Sequence, residues 1–327
     1  MPWPWSDCRP FAVPSAAEMD LAGAVAALAG LPLPGSGRTG DRFATLAEVA
    51  ARDLSIGRLA EGHADAVAIL SEAGRECSGG VWGVWAADPD RLQAVRNGDG
   101  WRIYGRKSWC SGVGVLSDAL LTATGPDGPR LFAVDLHQSG VMAVPGTWPA
   151  VGMSGSDSLD VEVDVSLPSA AAIGPPGWYV ERAGFWFGSV GVAACWLGGA
   201  IGAVRSLARF LGNKSPDEHQ LAHLGGAAAR CATAAAALEA AARRIDDPAR
   251  GHVEARDLAW QIRHTVEEVC LAVLVDVSRG GGAGPLGHDA DQARRIADLP
   301  VYLRQHHARR DAAAFGRAFL GYDAGTK

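Results

Sequence analysis

The sequence predicts an α+β, multi-domain chain: a helical N-terminal region over residues 1–78, a central antiparallel β-barrel over 79–176 and a C-terminal four-helix bundle over 177–327. Three observations lead there. Apolar residues recur at helical spacing in the first part and are punctuated by clusters of Pro and Gly. From Gly79 the texture changes to short runs of β-branched and aromatic residues, several of them alternating, with turn signals between them. After Gly177 long helical patterns rich in Ala and Gly return and persist.

In the first part, residues 16–29 have the spacing of a short helix, which the Pro/Gly cluster over 31–40 ends. A longer helix is expected over 46–73, with Leu54, Leu59, Val67 and Leu70 on its apolar face and Gly74 beyond its end. The strand candidates are VWGVWAA, GWRIYGRKSWC, DALLTAT, RLFAVDL, GVMAVPG and LDVEVDVSL, separated by turn signals such as NGDG, GPDGP and HQSG. Turns of this kind join antiparallel neighbours, so a compact barrel or sandwich is expected, ending near GPPG at 174–177. Four helices follow over 187–211, 218–245, 252–278 and 289–319. Gly198, Gly199, Gly202, Ala235 and Ala236 permit the close helix approach that a bundle requires. No internal repeat at a solenoid period is present.

Composition narrows the function. With 30 Lys+Arg against 36 Asp+Glu the formal net charge is −6, which argues against a nucleic-acid partner, because neutralising phosphates takes clustered positive charge. Hydrophobic residues at 48% and charged residues at 20% suit a globular chain with a large core. The apolar runs over 190–201 and 232–242 fall short of the roughly 20 residues that cross a bilayer, so no membrane partner is expected. The start, MPWPWSDCRPF, lacks the basic-then-apolar order of a secretory signal, and a cytoplasmic location is the default expectation. Cys8, Cys77, Cys110, Cys195, Cys231 and Cys270 are scattered without a CxxC pair, so free thiols and no metal site are expected.

With GRKSWCSG (105–112) inside the sheet segment, this order of elements resembles the acyl-CoA dehydrogenase superfamily from about residue 46 to 317. Further anchors are LFAVDLHQSGV, VGMSGSDSLDVEVDVSLP (151–168) and EHQ (218–220). The resemblance implies an FAD-dependent flavoprotein, with FMN or no flavin as alternatives. In the family the tryptophan of this strand packs beside the isoalloxazine and a hydroxyl two positions on bonds flavin N5; Trp109 and Ser111 match those positions. A flat apolar neighbour and a polar partner suit a ring that accepts hydride. The same two residues also read as a barrel-core tryptophan and a strand-end hydroxyl. The family strand that lines the pyrimidine ends in Thr-Glu-Pro; here Ala87-Asp88-Pro89 keeps the acid and the proline, and Ala87 offers only backbone groups. The Gly- and Ser-rich loop that follows in the family is missing.

The resemblance also supplies a phosphate end. Eleven residues before Gln220, which the resemblance also sets among the cofactor-binding residues, Arg209 falls on the family's pyrophosphate-binding arginine, whose guanidinium fork suits phosphate oxygens. The family's Phe-Gly three and four residues later is replaced by Gly212 and Asn213. SRGGGAGP (278–285), with Gly281, Gly282 and Gly284, resembles the family's Gln-x-x-Gly-Gly-x-Gly, and its glycines let backbone N–H groups approach a diphosphate. The family glutamine falls on Ser278.

Most family members take the α-proton with a glutamate before the last helix. Eight residues after Asp298, the matching position is His306, followed by His307, in YLRQHHARRD. An imidazole titrates near neutrality and serves as a general base, and histidine there is similar to the oxygen-using branch of the superfamily. Two solvated histidines at a basic helix start is the plainer reading. The second family location for the acid, on the helix over 187–211, has no Asp or Glu. In the early helix His63 ranks above Glu61, because its ring can point towards a substrate channel.

Three functions follow. The first is α,β-dehydrogenation of an acyl thioester, acyl-CoA or another small molecule, with hydride transfer to FAD. The second is a flavin-dependent monooxygenase of the same fold using His306. The third is a flavin-poor, catalytically silent partner in a heteromeric assembly. A homodimer or tetramer is expected, because family FAD sites are completed by a neighbouring subunit, and an electron-transfer partner fits a dehydrogenase.

Overall fold

The computed structural model describes residues 12–13, 19–77, 79–248 and 252–321. The readings of residues 1–11, Cys8 included, and of 16–18 lie outside the described residues. In chain order the helices are α1 (Leu21–Ala27), α2 (Thr39–Arg52), α3 (Leu54–Glu72), α4 (Trp178–Glu181), α5 (Ala183–Gly212), α6 (Glu218–Ile245), α7 (His252–Gly281), α8 (Ala283–His288), α9 (Ala290–Leu303) and α10 (Ala308–Phe319). The strands, all between α3 and α4, are β1 (Trp82–Trp85), β2 (Leu92–Asn97), β3 (Gly100–Cys110), β4 (Asp118–Gly125), β5 (Gly128–Asp135), β6 (Val141–Val144), β7 (Leu159–Leu167) and β8 (Ala172–Ile173).

These elements form two compact units rather than three consecutive ones. A helical unit takes the residues up to Arg58, Val151–Met153 and those from Trp186 onward. A sheet unit takes Leu59–Ala150 and Ser154–Phe185. The early helices are therefore divided between units, because a few turns of helix cannot bury an apolar stripe alone.

In the helical unit, α2 begins at Thr39, not near residue 46, because Asp246 reaches it from the end of α6. The Asp246 carboxylate accepts from Gly37 N at 2.9 Å, Thr39 N at 3.0 Å and Thr39 Oγ1 at 2.6 Å. The single helix expected over 46–73 is two: Asp53 is extended, and its Oδ1 accepts from Ile56 N at 2.9 Å in the first turn of α3. The helix expected over 289–319 is also two, α9 and α10, with a turn at 304–307. Arg263 of α7 clamps that turn by donating Nη2 to the Gln305 carbonyl at 2.9 Å.

At 30 residues α5 is long and apolar enough to cross a membrane, longer than the run that the sequence suggested. Its most apolar stretch is 89% buried inside the structure, as in the core helix of a helical domain. The small residues explain how. A Cβ on Gly198 would overlap the Ala47 carbonyl, and one on Gly202 would crowd the Ala51 carbonyl, so α2 and α5 touch backbone to backbone. Trp196, Leu197 and Leu207 of α5 are fully buried with Leu299 and Leu303 of α9.

The sheet unit holds one eight-stranded sheet in the order β6-β7-β3-β2-β4-β5-β8, with β1 paired to β4. Five pairings are antiparallel, as expected; β1 with β4 and β2 with β4 are parallel, which corrects the all-antiparallel expectation. Consecutive β1 and β2 run along the same neighbour, separated by the turn at Asp88–Arg91. Alternation of apolar residues specifies the buried face of a strand, not the direction of its partner, which is why this escapes the sequence. The hydrogen-bonded path runs from β6 to β8 without closing a ring among the described residues. Ala66, Ile69 and Leu70 of α3 bury against Trp82, Leu120, Leu131 and Ile173 to make its core.

Candidate functional site

In the sheet unit, β3 loses register with β7 between Lys107 and Cys110. The bulge turns Trp109 into a left-handed conformation, φ +66°, in which a bulky side chain is strained by about 1–3 kcal/mol. Its indole is 56% exposed and meets Trp148 edge-to-face at 5.8 Å. Trp109 is therefore not a barrel-core tryptophan: the chain holds a large aromatic ring against solvent, in a conformation that costs stability.

The residues beneath it are ordered by hydrogen bonds. The Ser111 hydroxyl is buried and lies 2.8 Å from Ser158 Oγ, which lies 2.9 Å from Ser156 Oγ. Trp85 Nε1 donates to the Ser111 carbonyl at 3.0 Å, and Gly112 N donates to the Ser156 carbonyl at 2.8 Å. Such a chain of hydroxyls can reverse its donor direction without moving a heavy atom. Lys107 is 1% exposed, and its Nζ donates to the Ala87 carbonyl at 2.6 Å and to Thr122 O and Oγ1, both at 3.2 Å. Burial lowers its ammonium to about 8. Ala87, exposed, thus has its carbonyl committed to Lys107 and precedes Asp88, also left-handed at φ +46°. Burial pushes the neighbouring Cys110 thiol up to about 12, so it is no thiolate nucleophile. His63 is engaged within the unit: its Nδ1 accepts from Trp82 N at 3.2 Å at the start of β1, and Glu61 is buried.

In the helical unit, Arg209, Gln220 and the glycine run come together at one end. Gln220 Oε1 accepts from Asp217 N at 3.2 Å while Asp217 Oδ1 accepts from Gln220 N at 2.8 Å, a capping box that starts α6. Gln220 Nε2 donates to the Gly280 carbonyl at 3.3 Å, so both ends of its amide hold protein together. Gly281 closes α7, and Gly282 breaks the helix at φ +62°, with open space where a Cβ would stand. Gly284 opens α8 against the Phe210 ring. Arg209 is exposed and donates Nη2 to Ser206 Oγ at 2.8 Å. The expected Gly-rich loop is mostly helix, with a single backbone reversal at Gly282.

His306 and His307 separate. His307 is exposed, whereas His306 is 2% exposed and sits in the turn between α9 and α10, so the solvated reading fails for it. Its Nε2 stands 3.6 Å from Glu267 Oε2 and its Nδ1 stands 3.3 Å from Asp311 Oδ2. The Trp196 and His264 rings close the other sides at 6.3 and 6.1 Å. Burial first, then the Arg263 guanidinium, lower its imidazole to about 4 against the opposing pull of Asp311. His306 is thus neutral at physiological pH and almost wholly buried. Sequence reasoning missed Trp148, Ser158, Lys107, His264, Glu267 and Asp311. Only the i, i+3 spacing of His264 and Glu267 on one helix carried a local signal.

No family model matches the chain, and no curated protein matches its sequence. Solved structures do match. The dibenzothiophene monooxygenase TdsC from Paenibacillus sp. A11-2 superposes with a TM-score of 0.77 at 19% identity over 88% of this chain and 85% of that one. KijD3, in complex with FMN and dTDP-3-amino-2,3,6-trideoxy-4-keto-3-methyl-D-glucose, gives 0.78 at 19% identity over 94% and 85%. XiaF from Streptomyces sp., in complex with FADH2 and glycerol, gives 0.71 at 16% over 88% and 83%. The fold is therefore the acyl-CoA dehydrogenase-like fold that the order of elements suggested.

Proposed function

We propose that this chain is a flavin-dependent oxidoreductase acting on a small organic substrate with reduced flavin and oxygen, rather than a dehydrogenase of acyl thioesters. The observation that carries this reading is Trp109: a strained, solvent-facing indole on a bulged strand, paired with Trp148 and followed by the buried Ser111 hydroxyl chain. Strain of this kind persists where the surroundings enforce it, and it concentrates at functional sites.

The residues present fit a flavin, FMN or FAD. Trp109 offers the flat apolar face for the ring system, and Ser111 a hydroxyl whose far side is fixed by Ser158. In the helical unit, taken by itself, Arg209 offers a guanidinium for a phosphate group, while Gln220 acts by shaping that end of the bundle. A bound flavin supplies two-electron redox chemistry and, once reduced, reactivity towards oxygen. Ser111, Ser158 and Ser156 hold a proton path that can serve a charge developing at the bulge.

Three observations favour oxygen chemistry. No carboxylate occupies the base position; α5 carries no Asp or Glu; and the solved structures that share the fold include a monooxygenase. KijD3 with its nucleotide sugar and TdsC with indole support a small molecule other than acyl-CoA. A second copy of the chain fits Leu221, Leu271 and Val275, apolar residues exposed on α6 and α7.

The test is the visible spectrum of the purified chain and its titration with FMN and FAD, followed by two assays. Oxygen uptake supplied with reduced flavin and an aromatic or nucleotide-sugar substrate is expected, with no anaerobic bleaching of the flavin by acyl-CoAs. Bleaching by an acyl-CoA restores the dehydrogenase reading. A colourless chain that takes up neither flavin supports the silent partner of a heteromeric assembly instead.

A further inference from the structure

We propose that His264, Glu267 and His306 form a binding site for a divalent transition-metal ion of the zinc class, inside the helical unit and apart from the residues assigned to flavin. One ligand atom from each of the three lies within 4.8 Å of the others. His264 and Glu267 project from one face of α7 at i, i+3, and His306 meets them from the turn between α9 and α10. The expectation of no metal rested on the scatter of the cysteines, and it overlooked a site that only the folded chain assembles.

The orphaned atoms carry the argument. Glu267 Oε2, His306 Nε2 and His264 Nδ1 are buried without a hydrogen-bond partner, while His306 Nδ1 faces Asp311. Buried polar atoms are ordinarily satisfied, and three left unmatched in one place ask for an occupant. Glu267 and His306 are each 2% exposed, whereas His264 is partly exposed and gives a route in.

Electrostatics agree with the geometry. The partners around the three donors leave one face of each turned to the cluster. Asp311 Oδ2 stands behind the ring, 3.3 Å from Nδ1, where an outer carboxylate orients a ligating histidine and fixes its tautomer. Arg304 pairs with the other Glu267 oxygen, Oε1, and leaves Oε2 turned to the histidines. Of the nearby cations, Arg263 spends Nη1 on the Ser189 carbonyl and Nη2 on the Gln305 carbonyl, and its guanidinium lies over the Trp196 ring at 4.5 Å.

The donor set is specific. Two imidazoles and one carboxylate leave the fourth tetrahedral position open, as in zinc sites that hold a water. Ligand bonds of about 2.0–2.2 Å place neighbouring donors roughly 3.4 Å apart, close to the 3.6 Å between His306 and Glu267. The remaining adjustment falls on His264, the most accessible of the three.

The test uses the full chain, freed of metal with a chelator and titrated with Zn2+ and, separately, Co2+. One ion per chain and the visible bands of four-coordinate Co2+ are expected. His264→Ala, the variant least disturbing to the core, and Glu267→Gln should each weaken Zn2+ binding at least 100-fold, whereas Asp311→Asn should weaken it by about 10–100-fold. Trp109→Ala should leave metal binding unchanged, so the metal site and the flavin reading fail separately. A chain that binds no Zn2+ beyond the level of His264→Ala, or a folded Glu267→Gln that binds like the parent, overturns the proposal.

Discussion

The two units solve opposite problems with the same tool, a residue placed where its chemistry is costly. In the sheet unit the cost is conformational and faces solvent: Trp109 is held left-handed and exposed by the bulge in β3. In the helical unit the cost is polar and faces inward: His306 Nε2 and Glu267 Oε2 are buried and find no hydrogen-bond partner. An exposed strained aromatic presents a surface to a large flat ligand. A buried set of unmatched donors suits something small enough to be enclosed. The difference teaches that one chain can carry two sites with independent physical signatures, and each signature has its own way of being broken.

The largest effect is expected in the helical unit, where backbone contact between α2 and α5 leaves no room for a side chain. Gly198→Val should destabilise the protein by about 3 kcal/mol, because its branched side chain meets the Ala47 carbonyl, which cannot give way without moving α2. Urea denaturation followed by circular dichroism measures this. An unchanged midpoint would mean that the two helices have slack, and the contrast between a rigid helical unit and a strained sheet unit would collapse.

A smaller effect is expected beneath the bulge. Lys107→Met should cost about 2 kcal/mol, since it strips the Ala87 and Thr122 carbonyls of their buried donor. Its pH dependence sharpens the comparison. The folded-state value is lowered to about 8 from 10.5, so the unfolded chain binds this proton more tightly. The penalty is present in full below pH 8, and stability gained from this group rises between pH 8 and 10.5 as the folded protein loses the proton first. Denaturation of the parent and of Lys107→Met across that window should diverge in slope, and parallel curves would remove the buried ammonium from the account.

How much of this was legible differs between the units in the same way. The order helix, sheet, helix and the small residues of α5 followed from local pattern, and Trp109 with Ser111 stood out because a motif two residues apart survives at the end of one strand. What escaped was whatever depends on distant partners. Asp246 starting α2, β1 and β2 both flanking β4, and Arg263 holding the turn at Gln305 join residues that sequence spacing cannot relate. Gln220 was read as facing a cofactor, yet its amide is occupied by Asp217 and Gly280. His306 was read for its position in a motif, while its character comes from Glu267 and Asp311, of which only Asp311 is near in sequence. Local pattern thus found the exposed aromatic, and tertiary structure alone brought His264 and Glu267 to His306.

The smallest stability effect separates strain from function at Trp109 itself. Trp109→Gly and Trp109→Ala both remove the indole and its contact with Trp148, and both should abolish flavin uptake in the spectral titration. They differ in the backbone: glycine adopts φ +66° without a Cβ penalty, while alanine keeps the strain. The glycine variant should therefore be the more stable of the two by up to about 1 kcal/mol, although glycine ordinarily costs stability in a strand. If alanine is the more stable, the left-handed conformation is not what the native chain sustains at this corner. If the glycine variant is the more stable and still takes up flavin like the parent, the strain is real but serves something other than the cofactor.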